Sequence, residues 1–334
     1  MKMKSAKKPK SGTPSDIPRE LIQEFSPEIA QPLTVIFNQM FSTGEWPAHW
    51  KLEHVVPIGK VAYPKSEDDL RPISLTPFFS KIAEHFVVDW LLEYVNDKID
   101  PRQYGGLKGN ATTHYLIEFL DFILQHQDST DQNAVLACFV DFQKAFNRQD
   151  HNILVVKLSD LNVPGWLLKI VIAFLSNRSM IVKFKGCQSS VKKLPGGGPQ
   201  GTILALLLFL ILINDMGFPN QNNHHIAAKT LQEIHLKFVD DLTIAENLNL
   251  KNKLVKVSDS ARPLPDTYHN RTGHILPPTR SNVYDELQNI KEYAKENSMK
   301  INLSKTQLML FNPCKTMDFS PDFVLDENPI SCGT

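Results

Sequence analysis

Residues 134–140, Ala-Val-Leu-Ala-Cys-Phe-Val, are apolar without interruption, and the run stops on Asp141. An unbroken apolar run of this length is the profile of a strand buried on both faces, inside a sheet rather than at its surface. A carboxylate at its end has two readings. It caps the segment that follows, or it stands at a sheet edge where chemistry is done.

A second acidic feature lies in IHLKFVDDLTIAE, residues 234–246, where apolar residues alternate on either side of Asp240 and Asp241. Two adjacent carboxylates where the alternation breaks read as a hairpin turn, because Asp hydrogen-bonds its own backbone there. Neighbouring strands of one sheet would gather Asp141, Asp240 and Asp241 at one edge. Clustered carboxylates repel unless a divalent cation binds them, and a pair of Mg²⁺ ions so held orients an attacking hydroxyl and stabilises a leaving oxygen in phosphoryl transfer.

With 334 residues and 42% hydrophobic content, the chain is long enough for one large domain or two subdomains. Lys plus Arg equals Asp plus Glu at 36 each, so no global basic field announces a nucleic-acid partner. Cys138, Cys187, Cys314 and Cys332 lack metal-site spacing and fit a reducing, intracellular compartment. The basic stretch 1–16 has no signal-peptide core after it and reads as a disordered tail, and the apolar run 203–213 is too short to span a bilayer. No membrane partner is expected, and nothing points to an obligate oligomer.

Apolar spacing predicts two helices over 17–45, extended and loop-rich chain over 46–75, and helices near 80–95 and 113–125. Helical spacing returns at 152–175 with a break at Val163-Pro164-Gly165, followed by two strands around Lys185-Gly186. PGGGPQG at 195–201 feeds the apolar helix, 247–281 is a long surface loop, and a helix at 284–297 precedes a strand at 307–311. This order predicts an α+β fold in which helices cover one face of a mostly antiparallel sheet. Within PGGGPQG no Walker or dinucleotide spacing is present, and Gln200 reads equally as a nucleotide contact or as a helix cap.

Six blocks in order, WKLEHVVPIGK (50–60), LRPISLTPFFSKIAE (70–84), QYGGLKGNATTHYL (103–116), VDFQKAFNRQDH (140–151), GGPQGTILALLLF (197–209) and FVDDLTI (238–244), resemble the reverse transcriptase domain of non-LTR, LINE-like retrotransposons of the jockey and CR1 kind. INLSKTQLMLF (301–311) follows as a seventh. The resemblance implies a right-hand polymerase with fingers at 17–130, a palm at 131–312 carrying a fingers insertion near 152–194, and a palm sheet backed by helices. It implies RNA-directed DNA polymerase activity with an RNA template, a DNA primer and dNTPs as partners. It also implies two Mg²⁺ ions, or Mn²⁺ in their place, held by Asp141, Asp240, Asp241 and the carbonyl of Phe142.

By the same resemblance Phe146 is the steric gate against a ribose 2′-hydroxyl, the alternative being a core phenylalanine. Gln200 and Gly201 lie against the nucleotide and template, Lys60 and Arg71 clamp the triphosphate, and Lys305 protonates the leaving pyrophosphate unless it is a solvated surface lysine. The sequence departs from the family at Asn147, at Phe238-Val239 and at Ala205-Leu206. Gly106, Leu107 and Asn110 stand where an aromatic and two basic residues are usual, which weakens the expected grip on template. The stretch 313–334 reads as a truncated segment with the thumb missing, so the alternative is an inactive retroelement remnant that keeps the palm and some nucleic-acid binding. The expected setting is a retroelement ribonucleoprotein in nucleus or cytoplasm.

Overall fold

A computed structural model describes residues 17–127, 133–217, 233–249, 282–311, 324–325 and 328–333. The tail at 1–16, the predicted loop beyond Asn249 and most of 313–334 lie outside them. The chain forms two compact units, one of residues 1–99 and 146–214, the other of 100–145 and 215–334. Residues 100–127 therefore fold with the sheet that carries the apolar run, whereas the boundary read from the sequence lay at 130. The reason is that Phe119, Phe122 and Ile123 bury themselves against Val135, Ala137 and Ala245 of that sheet.

In the first unit, helices α1 (Arg19–Glu24) and α2 (Ser26–Thr43) match the predicted pair. Pro27 stands in the first turn of α2, where a missing N–H is harmless, while Pro32 lies inside the helix rather than ending it. Strand β1 (Leu52–Gly59) pairs antiparallel with β2 (Leu70–Leu75) and parallel with β4 (Ser179–Phe184), which also pairs with the short β5 (Cys187–Gln188) and β6 (Lys192–Lys193). Helices α3 (Phe78–Val95), α5 (His151–Asp160), α6 (Gly165–Leu175) and α7 (Ile203–Leu212) build the core. The apolar run at 203–212 is thus an interior helix, and among the described residues no helix is long and apolar enough to cross a membrane.

The second unit is a five-stranded sheet in the order β10 (Ser331–Gly333), β9 (Gln307–Phe311), β3 (Asn133–Val140), β8 (Asp241–Asn249), β7 (Glu233–Phe238). All its pairs are antiparallel except β10 with β9. The apolar run is β3, at the centre, as its composition requires. Helix α4 (Thr112–Gln127) covers the face that carries Val135 and Ala137. Helix α8 (Asn282–Glu296) packs on the other face, where its first amide N–H donates to Glu246 Oε2 at 3.0 Å. Helices on both faces, not on one as the element order suggested, are what a strand without a polar face demands.

Candidate active site

Strand register brings the acidic residues together. Val140 pairs with Leu242 and Phe238 with Asp241, so the residue after β3, Asp141, comes level with Asp241 at the start of β8. Asp240 sits one residue earlier, in the two-residue tip Val239-Asp240 of the β7–β8 hairpin. The hairpin reading of FVDD therefore stands, and the tip is strained. Val239 has φ +58°, a left-handed conformation that costs a β-branched residue about 1–3 kcal/mol unless its surroundings enforce it.

The three carboxylates act on each other's charge. The Asp241 carboxyl is pushed up from 3.8 to about 6, first by lost hydration and then by the negative charges of Asp240 and Asp141. Asp141 does not cap a helix. The helix after it is capped by Asp150, whose Oδ1 accepts from the N–H groups of Asn152 and Ile153 at 2.9 and 3.4 Å.

Asp141 is instead held by the turn after α8. Asn302 Nδ2 donates to Asp141 Oδ2 at 2.7 Å and the Asn302 N–H donates to Asp141 O at 2.7 Å. The Asp141 N–H donates to Thr306 Oγ1 at 3.4 Å. Ser304 Oγ donates to Asn302 Oδ1 at 2.8 Å, which fixes the orientation of that amide. Phe142 is buried and bridges Ile301, and the bonds of this bridge use the backbone of Asp141 and Gln143, leaving the Phe142 carbonyl outside the ladder.

Lys305 lies in the same turn with an exposed side chain. Asn302 was missed in the sequence although it stands in the INLSKT block that drew attention to Lys305. Its signal there was only an amide three residues from a lysine. Tyr115 of α4, also missed, hydrogen-bonds Thr243, and its hydroxyl is pushed up by burial and by the Asp241 charge.

All the oxygens at this end of the sheet are hard donors, and a hard divalent cation would relieve the repulsion that raises Asp241, so the donor set fits Mg²⁺ or Mn²⁺. Among the described residues no three His, Cys, Asp or Glu side chains are gathered into a finished metal site. Asp141 keeps Oδ2 on the Asn302 amide.

The remaining candidates belong to the first unit. Phe146 is half-buried and its ring stacks on Phe209 with centroids 4.7 Å apart, so it is anchored in the core without being enclosed by it. Its carbonyl accepts from the Gly198 N–H at 3.0 Å, which ties it to the glycine-rich loop. In that loop the helix cap is Thr202, accepting from the Ala205 N–H at 3.3 Å, so Gln200 does not cap α7. The Gln200 carbonyl accepts from the Ser74 N–H at 2.8 Å, and Gly201 lies beside Ser74. The loop is thereby fastened to the end of β2, the strand that also carries the exposed Arg71. Lys60 is exposed and its Nζ donates to Asp68 O at 2.8 Å.

Residues 63–264 match the family described as reverse transcriptase (RNA-dependent DNA polymerase). Over 187 residues the chain is 32% identical to the RNA-directed DNA polymerase from mobile element jockey of Drosophila melanogaster, 55% of this chain and 20% of that protein. Over 303 residues it is 25% identical to the probable RNA-directed DNA polymerase from transposon X-element of the same species, 89% of this chain and 29% of that one. The chain thus spans less than a third of the length of these curated relatives. In fold it matches apo telomerase from Candida tropicalis truncated from its C-terminal domain, with TM-score 0.51 at 13% identity over 86% of this chain and 56% of the other. The family match over more than half of the residues and the fingers-and-palm fold together mean that this chain belongs to the reverse transcriptase (RNA-dependent DNA polymerase) family, as a domain of the non-LTR retrotransposon type.

Proposed function

We propose that the chain carries out template-directed DNA synthesis, extending a DNA primer on an RNA template by nucleotidyl transfer from dNTPs. The observation that carries this reading is the register of β3 against the β7–β8 hairpin, which aligns Asp141 with Asp241 beside Asp240 at one end of the sheet. Asp141, Asp240 and Asp241, with the Phe142 carbonyl, would hold two Mg²⁺ ions. When bound, these supply positive charge to the attacking and departing oxygens of an in-line displacement. The protein's own part is to keep the acidic groups oriented, and Asn302 does this for Asp141.

Phe146 closes the place of a ribose 2′-hydroxyl with a ring whose position Phe209 sets, and so favours deoxynucleotides. The Gln200-Gly201 segment lies against the incoming nucleotide and the template. Arg71 and Lys60 meet the triphosphate, the first as a fork and the second as a point charge. Lys305 donates a proton to the leaving pyrophosphate. The working setting is intracellular, in a ribonucleoprotein with the copied RNA.

The test is primer extension on an RNA template with Mg²⁺ and dNTPs. Extension is expected, and Asp240→Asn should lower it roughly a thousandfold, the scale of losing a principal electrostatic contributor to the transition state. No extension, with Asp240→Asn indistinguishable from the parent, would exclude an active polymerase. If salt-dependent primer–template binding survived without incorporation, the chain would be a silent palm that still holds nucleic acid.

A further inference from the structure

We propose that Gln103 is the positioning residue of the catalytic turn: its side-chain amide holds Val239 in its left-handed conformation and so governs how Asp240 and Asp241 are offered to a divalent cation. The inference rests on the metal-binding reading of those carboxylates.

Gln103 is 2% exposed, and its amide is used on both sides. Oε1 accepts from the Val239 N–H and from the Gly105 N–H, both at 2.9 Å, while Nε2 donates to Val239 O at 3.4 Å. One side chain thus takes both backbone polar groups of the residue that carries φ +58°. A hydrophobic residue in that conformation has no local interaction to keep it there, so the hold must come from outside the hairpin.

The segment that carries Gln103 is itself locked beside β7. The Lys237 N–H donates to Arg102 O at 2.9 Å and the Tyr104 N–H donates to Lys237 O at 2.8 Å, which makes a parallel rung alongside the strand that leads into the turn. Under this rung the buried Lys237 ammonium meets Asp100 Oδ2 at 2.8 Å, and Asp100 also accepts from Arg102 Nε at 3.0 Å. Asn110 Nδ2 closes the following loop on Gln103 O at 2.9 Å. Gly105 completes the fit, because a Cβ there would lie 2.6 Å from Val239 N and 2.7 Å from Val239 Cγ2. The QYGG block, read from sequence as part of the template grip, is by this geometry a brace for FVDD.

Two measurements on the full chain test this: amide hydrogen exchange at residues 239–241 and Mn²⁺ titration followed by electron paramagnetic resonance. Gln103→Met keeps length but offers no acceptor to the amide N–H. It should raise exchange at 239–241 and weaken Mn²⁺ binding by about tenfold, as loss of a ligand-orienting partner does elsewhere. Gly105→Ala reaches the same turn from its other side and should move both readouts in the same direction. Gln103→Glu, which keeps the acceptor, should restore protection of the Val239 amide. Ile290→Val, a core change elsewhere in the unit, should move neither readout. Parental exchange at 239–241 in both Gln103→Met and Gly105→Ala would overturn the proposal. If the parent chain binds no Mn²⁺ while exchange still rises in both variants, the brace stands and the metal reading of the aspartates falls.

Discussion

The hairpin tips 185–186 and 239–240 are each two residues long, and they are built on opposite terms. Between β4 and β5 the tip is Lys185-Gly186, with φ +48° and +82°, exposed to solvent. Both positive values are what a tight two-residue hairpin turn wants, and glycine takes the second without a steric penalty. Between β7 and β8 the tip is Val239-Asp240, and only the valine has positive φ. The first turn is satisfied by its own residues. The second puts a β-branched residue where a glycine would be at ease and keeps it there with hydrogen bonds from a segment more than a hundred residues earlier in the chain. The strained turn carries the acidic pair and the relaxed one carries no acid, which is the usual siting of backbone strain.

This contrast can be broken most forcefully at the partner strand end. Asn302→Ala frees Asp141 Oδ2 and removes the group that Ser304 orients, so primer extension at a fixed cation concentration should fall by about 10–100-fold, with the activity recovered only at higher divalent cation. A fall no larger than that of a substitution at the Lys185-Gly186 tip would show that Asp141 needs no such support.

Exchanging the turn chemistry gives the next effect. Gly186→Val forces a Cβ into the left-handed region and should cost about 1–2 kcal/mol in denaturant unfolding, whereas Val239→Gly should cost less or nothing, since it relieves the same penalty. If Val239→Gly proved the more damaging of the two, the valine side chain would matter more than the strain of its backbone.

The smallest effect concerns pH. In the folded chain Asp241 titrates near 6 against 3.8 when free, so between those values the native state holds more protons than the unfolded one. The contribution of Asp241 to stability without divalent cation should therefore decline as pH rises from about 4 to about 6, against the opposite contribution of buried His235, which is pushed down to about 4. Asp241→Asn should flatten this decline and raise the melting temperature at neutral pH. Cation added to the parent at neutral pH should have the same sign of effect. A melting-temperature difference between Asp241→Asn and the parent that did not grow across the window would contradict the raised Asp241 carboxyl.

Some of this was open to view in the chain itself. The unbroken apolar run ending at Asp141, the alternation around Asp240-Asp241 and the apolar helix at 203–212 are local patterns, and local patterns follow from side-chain periodicity alone. The strands and the hairpin therefore came out where they were expected, and the family blocks lie along them. Other features depend on residues distant in sequence, and periodicity carries no trace of them. No spacing announces that Thr202 caps α7 in place of Gln200, or that Asp150 rather than Asp141 caps α5.

The amino-acid sequence by itself determined which segments are strands, which helices are interior, and that acidic groups stand at strand ends. These are consequences of hydrophobic pattern and turn chemistry within a few residues. Only the tertiary structure decided that helices flank both faces of the sheet, that Asp141 is level with Asp241, that Asn302 holds one carboxylate, and that Gln103 braces the turn bearing the others. Strand pairing and buried hydrogen bonds join residues as far apart in the chain as Val135 and Phe311, and which donor meets which acceptor is settled by the packing of the whole unit.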